Sequence, residues 1–213
     1  MPREPLLADA STPKAKMILA TLDLLRQSGL AGAGINHVVD ASRAPKGSVY
    51  HYFPRGKHEL VATALREAER TVGDGFTRVF GQSIPLGQKV RTLFTSTGAT
   101  LDSNAFTKGC PVAAVTLDLT EDSEELRGVC QGVFDTWLKT IAAGLGEVGE
   151  AERRAVAQLI LVTLEGALIL SRANGTQRPL LDSGAWLADL LELRYPPSPS
   201  PRRSKRVTRA ARR

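Results

Sequence analysis

The sequence predicts an all-α protein, and three observations carry that prediction. Apolar residues recur at spacings of three and four along most of the 213-residue chain, which is the period of a helix with one buried face. No run alternates in the way a half-buried strand does. Prolines and glycines punctuate the periodic stretches at the places where helices open and close.

The first helix opens after "STP", with Thr12 as cap and Pro13 at the first helical position. Ala15, Ile18, Leu22 and Leu25 form its stripe, and Gly29 is expected to end it. A short second helix covers Ile35 to Ser42, with Ile35, Val38 and Val39 facing inward, and "SRAP" breaks it because a residue before proline avoids helical geometry. A third spans about Lys46 to Phe53, and "PRG" breaks again. A long fourth runs from Lys57 to Phe80, striped by Val61, Leu65, Ala68, Val72 and Val79 and weakened by Gly73 and Gly75. A fifth covers 86–102, and a short sixth starts at Pro111. The seventh carries Leu126, Cys130, Val133, Trp137 and Ile141 on one face, with Asp122 and Glu125 in capping-box positions. The eighth, 150–173, is apolar nearly all round. The ninth covers 179–194. The remainder, "PPSPSPRRSKRVTRAARR", has no apolar stripe and reads as a disordered tail.

Composition narrows the class. The start shows no charged-then-apolar leader, and the longest apolar run, Ala155 to Leu164, is interrupted by Gln158 and Thr163. The expectation is a soluble, cytoplasmic protein without a membrane span. Two cysteines, Cys110 and Cys130, make no disulfide scaffold. Net charge is +6, and the segment from Pro196 onward holds seven basic residues and no acid, so residues 1–195 sum to −1. A basic head, an acidic middle and a very basic end point to polyanion partners without naming one.

The stretch "APKGSVYHYFPRGK", Ala44 to Lys57, crowds three aromatics, a histidine and three basic residues between two helix breaks. Two short helices joined by about four residues outline a helix-turn-helix, whose second helix lies in the major groove. Lys46, Ser48 and Lys57 then face phosphates or base edges. Gly47 lets the backbone approach, and Tyr50 and Tyr52 offer flat bodies with hydroxyl tips. Val49 and Phe53, four apart, hold the helix on its scaffold.

At these residues the chain resembles the TetR family of transcriptional repressors, in the LmrA/YxaF-like branch. "KGCPVAAVTLDL", Lys108 to Leu119, resembles the ligand-domain signature of the same branch. The resemblance implies a homodimer that binds a palindromic double-stranded DNA operator and is released by a small, apolar or aromatic inducer. It implies a three-helix DNA-binding domain at 13–56 and a ligand-binding and dimerisation domain at 57–195, flanked by a flexible 1–12 and the tail 196–213. DNA contacts carried over fall on Asn36, Arg43, Lys46, Gly47, Ser48, Tyr50, His51, Tyr52 and Lys57. Two departures stand out: no Ser or Thr caps the second helix at Ala33 or Gly34, and Arg43 occupies a turn position where many members have glycine.

Phe94, Phe106, Cys110, Phe134, Trp137 and Glu165 are candidates to line the ligand chamber, although the aromatics would equally serve as core. A carboxylate inside the most apolar helix needs a partner. An arginine across the interface, or a cationic or hydroxylated ligand, would supply one for Glu165. Leu161, Leu168, Leu187, Leu190 and Leu191 are candidates for the dimer interface. No cofactor and no metal ligand spacing is expected, and no catalytic set is visible. Two rival readings stay open: a redox-sensing regulator, for which a helix start would activate the Cys110 thiol, and non-specific nucleic-acid binding driven by the tail.

Overall fold

The computed structural model describes residues 11–45, 47–121 and 123–196. Among them the chain forms α1 (Pro13–Gly32), α2 (Ile35–Ser42), α3 (Ser48–Tyr52), α4 (Lys57–Phe80), α5 (Leu86–Ser103), α6 (Pro111–Leu117), α7 (Glu124–Ala143), α8 (Glu150–Asn174) and α9 (Arg178–Arg194). No described residue is in a strand. The expected tail lies outside the described residues from 197 onward, as do residues 1–10, Lys46 and Asp122.

Two helix starts show how local sequence sets the boundaries. The Thr12 hydroxyl accepts the Ala15 N–H at 3.2 Å, which satisfies one of the free amides of α1. The capping box expected at α7 rests on Asp122, which lies outside the described residues. The helix begins one residue later, behind Ser123, whose hydroxyl instead accepts the Thr120 N–H at 3.2 Å. Glu125 is held by Arg55 at 2.9 Å.

Gly29 breaks α1 without ending it. It sits at φ 64°, ψ −163°, a backbone region essentially closed to other residues, and one further turn follows to Gly32.

The long α4 is the spine. Its buried row Leu60, Val61, Ala64, Leu65 and Ala68 meets α1 near the start, and Phe76, Val79 and Phe80 meet α7 near the end. Each large side chain buried in this way contributes about 1.5–3 kcal/mol of transfer free energy. α5 and α9 pair antiparallel. Gly98 lies against Gln177, and Gly184 faces Phe94 so closely that a Cβ there would sit 2.5 Å from the Phe94 Cβ. Arg91 pairs with Asp189, and Glu192 lies over Gly87. The end of α9 therefore stands beside the start of α5. α8 packs on α7 and α9. By length and composition alone α8 would also be able to cross a membrane; as placed here, one side faces the core through Val156, Ala157, Ile160, Leu161 and Leu164.

Candidate nucleic-acid interface and ligand chamber

α3 is short, so tertiary anchors must hold it. Val49 is fully buried and Phe53 nearly so. The Phe53 N–H donates to the Val49 carbonyl at 2.7 Å, and the Lys14 ammonium lies 5.9 Å above the Phe53 ring. With that face fixed, Tyr50 (60 % exposed), His51 and Gly47 point outward. Ser48 and Tyr52 are half-buried, and the Tyr52 ring meets His51 edge-on at 4.8 Å.

α2, the helix before α3, carries at its two ends the two departures read in the sequence. Gly34 opens α2 with no side-chain cap, and Arg43 adopts φ 55°, ψ 29°, a left-handed geometry costly for a residue with a Cβ. The Arg43 side chain is exposed. At Gly47 the backbone needs no glycine: φ is −70°, and nothing lies within 4 Å of where a Cβ would stand. A glycine there leaves open space on the outer surface.

A groove of about 430 Å³ runs between the start of α2 and Tyr50, lined by Asn36, His37, Ile35 and Val39. Asn36 and Tyr50, read separately in the sequence, share it. His37 was not among the expected contacts. Its Nδ1 donates to the Gly32 carbonyl at 2.9 Å, which fixes the ring at the groove edge. Lys57 differs from expectation: its ammonium donates to the Leu30 carbonyl at 2.7 Å and ties the start of α4 to the end of α1. Lys46 lies outside the described residues.

The chamber candidates do not meet as one cavity. Trp137 is buried, donates from Nε1 to the Glu69 carbonyl at 3.0 Å, and meets Phe76 and Phe134 edge-on at 5.8 and 5.7 Å. Trp137 and Phe76 are core, and the half-buried Phe134 packs against them. Phe94 is enclosed against α9, and Phe106 packs on the core from the loop before α6 at φ 61°.

Cys110 and Glu165 do come together. Cys110 caps α6, its sulfur accepting the Ala113 N–H at 3.5 Å, and it faces the Glu165 carboxyl. Burial pushes the Cys110 thiol well above its ordinary range, and the Glu165 charge pushes it further. The activation expected at a helix start is therefore outweighed, because desolvation and a neighbouring acid both disfavour thiolate. Cys130 is buried and also raised by burial. Burial raises Glu165 too, with the Cys110 contact opposing it, and Glu165 Oε2 has no hydrogen-bond partner among the described residues.

Of the interface candidates, Leu161, Leu187 and Leu191 are buried within the chain and Leu168 is half-buried; Leu190 is exposed. The open apolar face of α8 and α9 carries Leu159, Val162, Ile169, Trp186, Leu190 and Leu193. Periodicity had found these helices but not which of their several apolar rows the subunit itself covers.

Residues 18–64, from within α1 to within α4, match the family model "Bacterial regulatory proteins, tetR family", and residues 87–185 match "Transcriptional regulator LmrA/YxaF-like, C-terminal domain". The HTH-type transcriptional regulator YxaF of Bacillus subtilis (strain 168) is 32 % identical over 170 residues, covering 79 % of this chain and 89 % of that protein. The chain belongs to the TetR family.

LmrA of the same organism is 25 % identical, covering 84 % of this chain and 96 % of its own. Solved TetR-family structures share the fold. The regulatory protein TetR from Rhodobacter sphaeroides gives a TM-score of 0.72 at 22 % identity, covering 82 % of this chain and 96 % of that one. A cysteine variant of the TetR-family regulator CifR, solved with a 26-base-pair operator duplex, gives 0.71 at 19 % identity, covering 81 % and 94 %. As a TetR-family member this protein is a DNA-binding transcriptional regulator and not an enzyme. α2 and α3 are its helix-turn-helix.

Proposed function

We propose that this protein is a ligand-responsive repressor that binds a palindromic operator as a cytoplasmic homodimer and leaves it when a small apolar or aromatic molecule binds. The observation that carries the reading is α3: Val49 and Phe53 lock it to the body while Gly47, Tyr50 and His51 face outward without a role in the core. Asn36, Arg43, Ser48 and Tyr52 flank that surface, and Lys46 is assigned to it from the family pattern. Base contacts in the major groove specify, and the hydroxyl and basic groups position. The DNA-binding unit is residues 13–56 and the ligand-binding and dimerisation unit 57–195.

The open α8–α9 face supports a symmetric dimer. Six large apolar side chains gathered on two adjacent helices favour burial against a second copy, and a two-fold pair presents two recognition helices to a palindrome.

The ligand unit grips the DNA-binding unit at the end of α1. The Gly109 N–H donates to the Arg26 carbonyl at 2.9 Å, Arg172 donates to the Gln27 carbonyl at 2.6 Å, and Asp118 accepts the Leu30 N–H at 2.7 Å. Glu165 lies two turns before Arg172 on α8 and faces Cys110, the residue after Gly109. A ligand donor on Glu165 Oε2 would act next to that grip. α4 alone need not carry the change, and the inducer shifts the balance only by its differential affinity for the two arrangements.

A thiol switch draws no support from a Cys110 sulfur held in its protonated form. The deciding experiment is fluorescence anisotropy on the intergenic DNA beside the protein's own gene, against scrambled DNA of equal length, at two salt concentrations. Strong preference for the intergenic duplex, with two chains per site, supports the reading. Equal binding to both duplexes sinks it.

A further inference from the structure

The junction between α3 and α4 carries two strongly basic residues, and the structure treats them differently. Lys57 is half-buried and commits its ammonium to the Leu30 carbonyl. Arg55 stays open, with 62 % of its side chain exposed. The backbone around it is fixed: the Arg55 N–H donates to the Glu59 carboxylate at 3.0 Å, and the Gly56 N–H donates to the Phe53 carbonyl at 2.8 Å. Gly56, at φ 70°, stands against the recognition surface. A Cβ there would lie 3.6 Å from the Tyr50 ring and 3.9 Å from Ile35, and both of those residues line the groove that Asn36 shares. Arg55 is therefore held at the edge of that surface, one residue from its contact.

The Arg55 guanidinium is held from the other unit. It donates to the Glu125 carboxylate at 2.9 Å, across 70 residues of sequence. Glu125 lies in the first turn of α7. That turn is seated by the buried Leu126, and Arg127 donates to the Thr120 carbonyl at 3.2 Å. The pair itself is open to water, with the Glu125 side chain 48 % exposed. An ion pair in that setting is weak and is screened by salt. A phosphate offers the same guanidinium a bidentate contact and releases a counterion from the duplex. It therefore competes well against the carboxylate. Glu121 and Glu124 are exposed near Glu125, so the α7 start itself disfavours an approaching DNA backbone. Arg55 meets a phosphate by turning away from α7.

We propose that Arg55 is a phosphate-contacting residue of the DNA interface and that Glu125 holds it back in the free protein, so that the duplex and α7 compete for one guanidinium. The proposal rests on the operator-binding reading of α3 given above. Arg55 adds affinity without choosing sequence, unlike the groups of α3 that face base edges. The pair also gives the ligand unit a direct electrostatic hold on the DNA-binding unit. A shift of the α7 start away from the turn frees Arg55, and a shift toward it withholds Arg55.

Fluorescence anisotropy on the intergenic duplex beside the protein's own gene, at several salt concentrations, tests this with the full-length chain and its variants. Arg55→Gln is expected to weaken binding several-fold and to lower the slope of log affinity against log salt by about 1. Arg55→Lys keeps the charge and is expected to keep the slope. Glu125→Gln is expected to strengthen binding several-fold beyond Glu124→Gln, which removes the same charge from the adjacent exposed residue. That excess is expected to vanish when Arg55→Gln is also present. Unchanged affinity and slope in Arg55→Gln overturn the contact. A gain in Glu125→Gln that only matches Glu124→Gln, or that persists without Arg55, overturns the competition, because the acid then acts through the general field alone. A parent chain that binds a scrambled duplex equally well overturns the operator reading and this proposal with it, whereas a parent chain that prefers the intergenic duplex while Arg55→Gln matches it overturns this proposal alone. Thermal melts check that each variant is folded.

Discussion

The Asp118 carboxylate accepts the Leu30 N–H at 2.7 Å across 88 residues of sequence, and it does so at the point where Gly29 breaks α1. A Cβ on Gly29 would stand 2.5 Å from that same carboxylate oxygen. The α1 break and the end of α6 are therefore fitted to each other. The bond is solvent-accessible, so its loss removes about 0.5–1.5 kcal/mol and leaves the fold intact. Asp118→Ala is expected to speed hydrogen exchange at the Leu30 amide while leaving the amides of α7 and α9 protected. Gly29→Ala, which adds backbone strain of about 1–3 kcal/mol to the collision, is expected to lower the melting temperature more than Asp118→Ala does. A smaller effect for Gly29→Ala would show that the break is not fixed by its conformation.

The two faces of α3 separate stability from DNA binding. Tyr50→Ala truncates an exposed ring and is expected to leave the melting temperature nearly unchanged while weakening operator binding at least several-fold. Val49→Ala empties a fully buried position and is expected to cost about 1–3 kcal/mol of stability. Thermal melts and operator titrations of the two variants decide this: equal affinity of Tyr50→Ala and the parent protein removes Tyr50 from the interface.

Much of this architecture was legible because it is local. Thr12 and Pro13 mark the α1 start, "SRAP" ends α2, and Arg43 marks a left-handed turn. The helix-turn-helix was legible for the same reason, since its anchors Val49 and Phe53 are one turn apart. What was not legible depends on which helix lies against which. Periodicity cannot choose between Leu187 and Leu190 on a helix apolar on several sides, so the outward row was assigned only in part. Nor could it show that Trp137 packs edge-on with Phe76 and the half-buried Phe134, or that the Lys57 ammonium is drawn to the Leu30 carbonyl. The helix start at Cys110 is visible in sequence, whereas Glu165, 55 positions away, is not, so the sequence shows only one of the influences on that thiol.

Glu165 gives stability a pH dependence of known sign. Burial raises its folded-state pKa above the ordinary carboxylate value. The stabilising contribution is then fully present at low pH, where both folded and unfolded chains carry the proton, and is lost as pH rises through the folded value. Glu165→Gln cannot ionise. It is expected to melt higher than the parent chain at about pH 8, with the gap closing as the pH falls toward about 4. A gap that stays constant with pH would mean that the carboxyl is not the titrating group.

The α8–α9 face should separate assembly from folding. Trp186 is 71 % exposed and Leu193 83 % exposed, so neither holds the subunit together, whereas Leu187 is 5 % exposed inside it. A charge at Trp186 is unfavourable only if a second copy covers that position, because an isolated subunit leaves it in water. A charge at Leu187 is unfavourable in either state, since the buried ion has no partner. Trp186→Glu is therefore expected to sediment as a folded monomer with a nearly unchanged melting temperature and to bind the operator far more weakly, one recognition helix having replaced two. Leu187→Glu is expected to unfold or aggregate. If Trp186→Glu sediments as the parent protein does, this face is not the dimer contact, and the paired recognition helices must be held together elsewhere.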